Sequence, residues 1–565
     1  MRASPSLEGN RPPTVLRERI FLDTEVRMNS SNRWDRWRLS GLDDSNAGHA
    51  PTIRLVLSVR LWDDHTALDD LRRRGAWRAI ASRMDSMNIP TDEGRNPLKL
   101  WSSPPLNDAR IHELAPAPRE LCRAADGLRA WIMTAEAHQA ASVLGRNRDP
   151  WWLEIEMGSR SQTIPIRIGE IGCWASQEGL AYLYLDLELV DRPKSKQHAD
   201  VDAVTLRSYL DALHSTRFLY EKGAKLWSET TVDPRSGRTE PRRMLLSGGS
   251  DWQGTGTNGH FRLETSIRCI TDSLFELVTG RPRKERTDAC LENPTTLRAY
   301  AFLDVCSEAD SSMSEAHHHE LVRQIAEMAP PDREIGRALL LDGSDLSVLA
   351  YPYSEGAYFA FTSECTAFVS INRPRNDFWC NAMPSHVLRE YFTIQLLTMY
   401  QRHIVDEVRR LAGATDAFDT SIEERNRHWE AVQERAIRAK AHGFFIEVSM
   451  RTNHTKFEAQ LRRVLHVDRA YELAMGLVDA LCETQIARVE MRREAATRRR
   501  EQLWQWIAGA TIFPTIALTV LNVNMNGLTV DKEGMSLQHV LLLTVLFIAL
   551  GFGLTWVLTK MQQKR

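Results

Sequence analysis

The residues best suited to chemistry lie near the end of the chain, in the run LTVLNVNMNGLTV at 518–530. Three asparagines of this run, Asn522, Asn524 and Asn526, form a polar cluster in an otherwise apolar setting, together with Met525 and Gly527. An amide is costly to bury in apolar surroundings unless it finds a hydrogen-bond partner. An amide oxygen is also a ligand for a cation that keeps much of its water, as Mg²⁺ does. The cluster therefore indicates either a polar contact between helices or an ion-binding ring.

Threonines extend this polar face toward the N-terminus. At about 100° per residue, a single stripe narrower than a quarter-turn collects five side chains: Thr511, Thr515, Thr519, Asn522 and Asn526. Asn524 falls on the opposite side of the helix. One interpretation is helix packing, in which each hydroxyl bonds the carbonyl four residues back. The other is a pore lining, in which these residues repeat around a ring of identical subunits and Asn526 contacts the metal ion. The pattern leaves both interpretations open.

Two apolar segments surround the cluster and predict a transmembrane hairpin. Residues 504–523 and 537–559 contain no Lys, Arg, Asp or Glu, and each approaches the roughly 20 residues that a membrane-spanning helix needs. Arginines precede the first segment, and a basic tail at 560–565 follows the second. The positive-inside rule then predicts an external loop at 524–536 and two cytoplasmic termini. We expect a multi-pass protein of the inner (plasma) membrane, with the lipid bilayer as a partner.

The rest of the chain has the composition of a globular protein. It has 565 residues and a formal net charge of −2, so its charge does not indicate a nucleic-acid partner. Its eight cysteines form no C-x-x-C pair, and reduced thiols are expected. The first residues lack the apolar run of a signal peptide.

Hydrophobic periodicity predicts an α/β (α+β) cytoplasmic region followed by helices. After a loose segment at 1–50, alternating strands and helices predict a cytoplasmic α/β domain at 51–290 and a second mixed α/β unit at 291–384. The first of these includes strands at 151–157 and 181–190 and a helix at about 204–220. Residues 385–503 carry helical periodicity and predict a helical stalk. No proline stands between Asp468 and Pro514, so one helix of roughly 55 residues, about 80 Å long, is expected to enter the first apolar segment.

Other candidate sites are weaker. Three consecutive histidines, His317 to His319, point in different directions on a helix and favour a solvated surface over a metal site. The loop GGSDWQGTGTNG at 248–259 lacks the spacing of a phosphate-binding loop. The arginine run at 498–500 is explained by anchoring next to a membrane. We find no catalytic constellation, so the sequence predicts neither an enzyme nor an organic cofactor.

This order of elements resembles the CorA family of divalent-cation channels. Met525 and Asn526 stand where that family has the Met and Asn of its Gly-Met-Asn motif, and Phe513-Pro514 resembles its proline in the pore helix. Asn524 replaces the glycine. The resemblance covers the order of elements from about residue 385 to the C-terminus. It implies a homo-oligomer, a pentamer in that family, whose first membrane helices line the pore with Asn526 at the outer end.

Two functions follow as expectations. The first is a CorA-like channel that transports a divalent cation, Mg²⁺ above others. The alternative is a membrane-anchored sensor or effector, for example in an antiviral or stress response, which uses the hairpin only as its anchor. The altered motif and the large N-terminal region motivate the alternative.

Overall fold

A computed structural model describes the chain in separate ranges. These are residues 34, 37–42, 49–60, 80–89, 98–102, 114–123, 128–134, 151–157, 160–176, 179–191, 204–218, 224–231, 260–280, 296–307, 315–331, 349–413, 429–430, 432–437, 439–440, 448–527 and scattered positions between 542 and 560. The chain divides into two compact units, Met1–Ala474 and Met475–Arg565.

The first unit is built on a mixed β-sheet. Within the described ranges the strands are β1 (Trp37–Leu39), β2 (Thr52–Arg60), β3 (Asn88–Ile89), β4 (Leu98–Lys99), β5 (Trp101–Ser102), β6 (Arg129–Met133), β7 (Trp151–Met157), β8 (Arg160–Ala175), β9 (Leu180–Leu189), β10 (Lys225–Thr231), β11 (His260–Ser266), β12 (Arg298–Ser307), β13 (Leu349–Ser354), β14 (Ala357–Phe361) and β15 (Cys365–Ile371). Thirteen of them form one sheet, and β3 pairs with β4 separately.

The main path of the sheet is β11-β10-β7-β8-β9-β2-β12-β15-β14-β13. Two further pairings leave this path, since β1 pairs with β12 and β5 joins through β6 to β8. The described pairings are antiparallel except that β12 runs parallel to β15. A parallel pair needs a crossover connection, and the helix Glu315–Ala326 lies between these two strands in the sequence. The sheet therefore includes strands from both predicted ranges, 51–290 and 291–384.

Helices cover both faces of the sheet. Along the chain they are α1 (Pro116–Arg123), α2 (Leu206–Thr216), α3 (Ile267–Thr279), α4 (Glu315–Ala326), α5 (Met383–Ser385), α6 (Phe392–Gly413), α7 (Thr452–Val464) and α8 (Val467–Gly527), with π-helical turns at Phe378–Ala382 and His386–Tyr391. Helices α2, α3 and α4 pack on one face, and α6 and α7 pack on the other.

The alternation of β2 shows how the two faces differ. Ile53, Leu55, Leu57 and Val59 are buried in the main hydrophobic core. Side chains of successive residues point to opposite faces of a strand, so Arg54, between two of these residues, points to the other face. That face carries aromatic rings, and Phe359 lies 4.7 Å from Tyr391 and 5.0 Å from Phe457. The main core on one side of the sheet combines aliphatic residues with tryptophans such as Trp131 and Trp151. The other side combines aromatic rings with buried charge, and we refer to it as the aromatic face.

Helix α8 is the longest element. Its 61 residues correspond to about 90 Å at 1.5 Å per residue. The expectation of a single helix that starts near residue 468 and continues past Pro514 agrees with these bounds. From Glu483 onward its described side chains are mostly exposed.

The predicted transmembrane hairpin is wrong. Within the described ranges no helix combines the length and the apolar character needed to cross a membrane. Helix α8 is rich in charged side chains up to Glu501, and threonines and asparagines interrupt the apolar residues that follow. Most of the second segment, 537–559, and most of the loop 524–536 lie outside the described residues.

The expectations that depended on the hairpin are therefore wrong as well. These are the CorA-like membrane architecture, the transmembrane cation channel, the membrane-anchored effector and the multi-pass location in the inner membrane. The corrected fold class is a large mixed sheet covered by helices, followed by the long helix α8.

Several strands and helices agree with the hydrophobic pattern. The alternation at 151–157 matches β7, and that at 181–190 matches β9 within one residue. The helix expected at 204–220 begins at Leu206 and includes Thr216 as its last residue. The glycine-rich loop 248–259 and the N-terminal segment 1–33 lie outside the described residues.

Candidate functional site

A buried ion pair forms the centre of the aromatic face. Arg54 of β2 and Asp186 of β9 face each other across neighbouring strands. The guanidinium donates from Nε to Oδ1 at 2.6 Å and from Nη2 to Oδ2 at 2.7 Å. This fork geometry is the strongest pairing available to an arginine and a carboxylate. Burial raises the pKa of Asp186 to about 6, so the carboxylate is ionised at neutral pH and complements the cation.

A third charged group joins this pair at an irregularity in β8. The register of β8 against β9 shifts between Ile168 and Ile171, and this shift brings Glu170 to 3.5 Å from Nη2 of Arg54. The hydroxyl of Tyr184 donates to Glu170 at 2.7 Å. A β-bulge re-aims a side chain in this way. Strand irregularity therefore places a second carboxylate beside the buried arginine.

Aromatic rings enclose the same guanidinium. Its central carbon lies 4.6 Å from the ring centre of Tyr184 and 4.3 Å from that of Phe392. The Tyr184 ring lies over Gly172, where an added Cβ would be 2.2 Å from a ring carbon. Only glycine leaves room for this ring, because real Cβ atoms do not approach so closely. Gly172 thus allows the ring to reach the cation.

The cluster fastens the π-helical turn His386–Tyr391 to the sheet. Arg54 donates from Nη1 to the carbonyl of Leu388 at 2.6 Å, and the Tyr300 hydroxyl donates to the carbonyl of Val387 at 2.7 Å. A π-helical turn shifts the backbone hydrogen bonds by one residue, and such turns are frequent at functional sites. Here two side chains of the sheet bond carbonyls of the turn.

A second polar group lies on the other side of this turn. Glu390 Oε1 lies 2.7 Å from Nδ1 of His386, and Oε2 lies 3.6 Å from Nε2 of His454 on α7. Nδ1 of His454 lies 2.9 Å from the Ser449 hydroxyl. Burial, together with the nearby charges of Arg451 and His386, lowers the pKa of His454 to about 4. His454 is therefore neutral at pH 7.

The order Ser449, His454, Glu390 has the composition of a catalytic triad but not its accessibility. Ser449 is 1% exposed, and its oxygen also accepts a bond from the backbone N–H of Arg451 at 3.3 Å. A nucleophile needs a path to its substrate and a base that takes its proton. The group instead organises the start of α7 and joins that helix to the π-helical turn.

The structure places three predicted polar residues on the surface of α8. Thr511, Thr515 and Thr519 are exposed, and their hydroxyls donate to the carbonyls of Ile507, Thr511 and Thr515 at 2.9, 2.6 and 2.7 Å. These are the four-back bonds expected under the helix-packing interpretation. The backbones of Asn522, Asn524, Met525, Asn526 and Gly527 belong to α8, but their side chains lie outside the described part of the structure. Their role stays a prediction.

The remaining sequence candidates show no common site. The histidine run lies on α4, where the His318 and His319 rings contact Tyr358 at 6.4 and 5.6 Å. Among the described residues, no group of three or more His, Cys, Asp or Glu side chains is placed to hold a metal ion. The expectation of a bound divalent cation, with Asn526 as its ligand, stays a prediction.

Sequence reasoning missed the buried charges. Arg54 lies inside the apolar run IRLVLSVRLW, and a cation between buried aliphatic residues is itself a signal of a buried partner. The partner could not be found in the same way, because Asp186 is 132 positions away. His386 and Glu390 stand four residues apart, which is a local signal that pattern reading overlooked.

Helix α8 presents the other distinctive surface. In the segment 503–516, four large aliphatic side chains are about half exposed or more: Leu503 (62%), Ile507 (49%), Ile512 (53%) and Ile516 (54%). Trp504 of the same segment is 61% exposed. Exposure of several large apolar side chains on one helix is typical of an interaction surface.

Comparison with known proteins does not place the chain in a family. No family model matches the sequence, and no curated protein matches it.

Proposed function

We propose that this is a non-enzymatic assembly protein whose copies associate through α8 into a closed ring of three or more chains. The observation that carries the proposal is the exposure of large apolar side chains on opposite sides of one helix. The apolar segment Leu503–Ile516 would lie between neighbouring copies, and the sheet units would be held together by that contact.

The angular positions of the four side chains require two neighbours. Leu503 and Ile507 lie on one side of α8, because they are four residues apart. Ile512 follows Leu503 by nine residues, and Ile516 follows Ile507 by nine residues. Nine residues correspond to a rotation of about 180° around the helix, so Ile512 and Ile516 lie on the opposite side. A single partner covers only one of these sides. A helix in a ring contacts one neighbour on each side and covers both.

The expected free energy is large enough to drive association. Full burial of one such side chain contributes about 1.5–3 kcal/mol, so four of them contribute roughly 6–12 kcal/mol per chain before the loss of translational and side-chain freedom. Exposed ion pairs contribute about 0–1 kcal/mol each. The apolar sides therefore dominate assembly.

A ring of this kind uses a heterologous interface, in which the first side of one copy meets the opposite side of the next. The homo-oligomer expected from the sequence, with five copies as its specific form, is part of this proposal. The absence of an enzymatic role is also proposed, supported by the inaccessibility of Ser449.

Light scattering on the full chain after size-exclusion chromatography tests the proposal. For the wild type at micromolar concentration, the expected molar mass is at least three times that of one chain. Ile507→Asp and Ile512→Asp each place a charge on one of the two apolar sides. Each variant alone is therefore expected to elute as a single chain. In a mixture of the two variants, the unchanged Ile512 side of the first can contact the unchanged Ile507 side of the second. The mixture is therefore expected to form a heterodimer.

The matched control is Leu473→Asp, since Leu473 is also an exposed apolar residue of α8, at 57%, but lies outside the segment Leu503–Ile516. It is expected to leave the mass unchanged. A wild-type mass of one chain, or an unchanged mass for Ile507→Asp, overturns the proposal.

A further inference from the structure

The charged stretch of α8 before the apolar segment separates acids from bases by side. Four exposed glutamates share one side of the helix: Glu483, Glu490, Glu494 and Glu501. Their spacings of seven, four and seven residues keep them within an arc of about 40°. We refer to these four residues as the acidic side.

Two exposed arginines lie on the reverse of the acidic side. Arg492 and Arg499 are seven residues apart, which places them about 20° from each other. Each stands two residues from a glutamate of the acidic side, which corresponds to about 200° around the helix. We refer to Arg492 and Arg499 as the basic side.

Of the other charges in the stretch, Arg488 is half-buried and lies about 20–40° from the basic side, and the rest belong to neither side. Arg498 borders the acidic side and forms an ion pair with Glu494 at 3.6 Å, in which both side chains are more than two-thirds exposed. Arg493 and Arg500 share a separate arc between the two sides. Reversal of these last two charges therefore offers a control that leaves both sides intact.

We infer that the basic side of one copy pairs with the acidic side of the next copy in the ring. The inference rests on the ring proposed above. Rotation about a ring axis keeps every copy at the same height, and in the ring that we infer α8 runs along this axis, so neighbouring helices are parallel. Arg492 then lies level with Glu490 and Glu494 of the neighbour, and Arg499 lies level with Glu501.

This charge pattern fixes which side of each copy contacts the next copy, so every contact around the ring has the same orientation. A basic side meets an acidic side around the whole ring, whereas two identical sides would place like charges opposite each other, which is unfavourable. The partner that fits is a second copy of this chain in parallel register. Apolar contacts supply the affinity, and the charges select the register and the sense of the contact.

Charge reversal in the full-length protein tests the inference. Arg492→Glu with Arg499→Glu makes both sides acidic and is expected to weaken association by at least about tenfold at low salt, an effect that diminishes as salt screens the charges. Adding Glu490→Arg, Glu494→Arg and Glu501→Arg to the same chain exchanges the two sides and is expected to restore association.

Arg493→Glu with Arg500→Glu serves as the control, because it reverses two charges outside both sides and is expected to change association less than twofold or so. Circular dichroism establishes that each variant keeps its helix. If wild type associates and the first variant associates equally tightly, or if the exchanged variant remains weak, the inferred pairing is overturned while the ring stands. If wild type does not associate, the ring itself fails.

Discussion

Arg54 remains in the interior because every polar atom around it has a complementary partner. It is 2% exposed. Its guanidinium forms a bidentate pair with Asp186, donates to the Leu388 carbonyl and lies between two aromatic rings. An isolated charge would not survive such burial. The same site would be destabilising if only one partner were present, which makes the pair sensitive to single substitutions.

We predict that Arg54→Met lowers the free energy of unfolding by about 3–5 kcal/mol, because it leaves the Asp186 carboxylate buried without its cation. Urea unfolding followed by circular dichroism measures the change. The matched control is Arg167→Met, which removes an arginine from the more exposed pair with Glu188 at 2.7 Å and is expected to cost less than about 1 kcal/mol. Equal midpoints for the two variants would contradict the role of burial.

His454 makes stability depend on pH. Its folded-state pKa of about 4 lies below the ordinary value of about 6.5, so the unfolded chain binds the extra proton first. The stabilising contribution is complete above about pH 6.5 and is lost as the pH falls toward 4, a change of about 3 kcal/mol. Asp186 acts in the opposite direction, since its pKa is raised.

The prediction is that His454→Gln reduces the acid-induced loss of stability between pH 6.5 and 4. The comparison of wild type and variant isolates His454, because both proteins keep Asp186 and the other titrating groups. Thermal unfolding midpoints across this pH range provide the measurement. Parallel pH profiles for the two proteins would show that His454 does not titrate as described.

At the scale of elements, the π-helical turn His386–Tyr391 joins the sheet to α6. Its carbonyls are bonded by Arg54 and Tyr300, and Glu390 connects it to α7. The first unit is therefore held together on its aromatic face by specific polar contacts in addition to ring packing.

Tyr300→Phe is predicted to loosen this turn. The Val387 carbonyl loses its side-chain donor and keeps the backbone N–H of Phe392, at a cost of about 0.5–1.5 kcal/mol, so hydrogen–deuterium exchange at 386–391 should accelerate. Tyr209→Phe is the matched control, because the Tyr209 hydroxyl donates to the carbonyl of Thr52 at 3.1 Å and belongs to the main core on the other side of the sheet. This assignment would be contradicted if exchange at 386–391 became faster in Tyr209→Phe, or if it did not become faster in Tyr300→Phe.

The elements that periodicity predicted are the ones whose signal is local. β7 and β9 follow from alternation of apolar residues, and α8 follows from a long stretch without proline. The position of β2 between β9 and β12 could not be predicted, because it depends on pairings far apart in sequence. The hairpin was predicted from two uncharged apolar segments and the basic residues that flank them. That signal does not separate a membrane span from a helix side covered by other copies.

For the molecule as a whole, the two units have different physical requirements. The first buries its core within one chain, around the sheet and its two helix layers. The second exposes apolar side chains on opposite sides of α8. In the proposed ring, other copies bury those sides, and one assembly contains several sheet units.

Native mass spectrometry of the full-length chain tests the ring most directly, since it counts copies without any assumption about shape. The expected result is a closed species of at least three chains of 64.5 kDa, with no open-ended series of larger assemblies. A single chain of 64.5 kDa as the only species at micromolar concentration would contradict it.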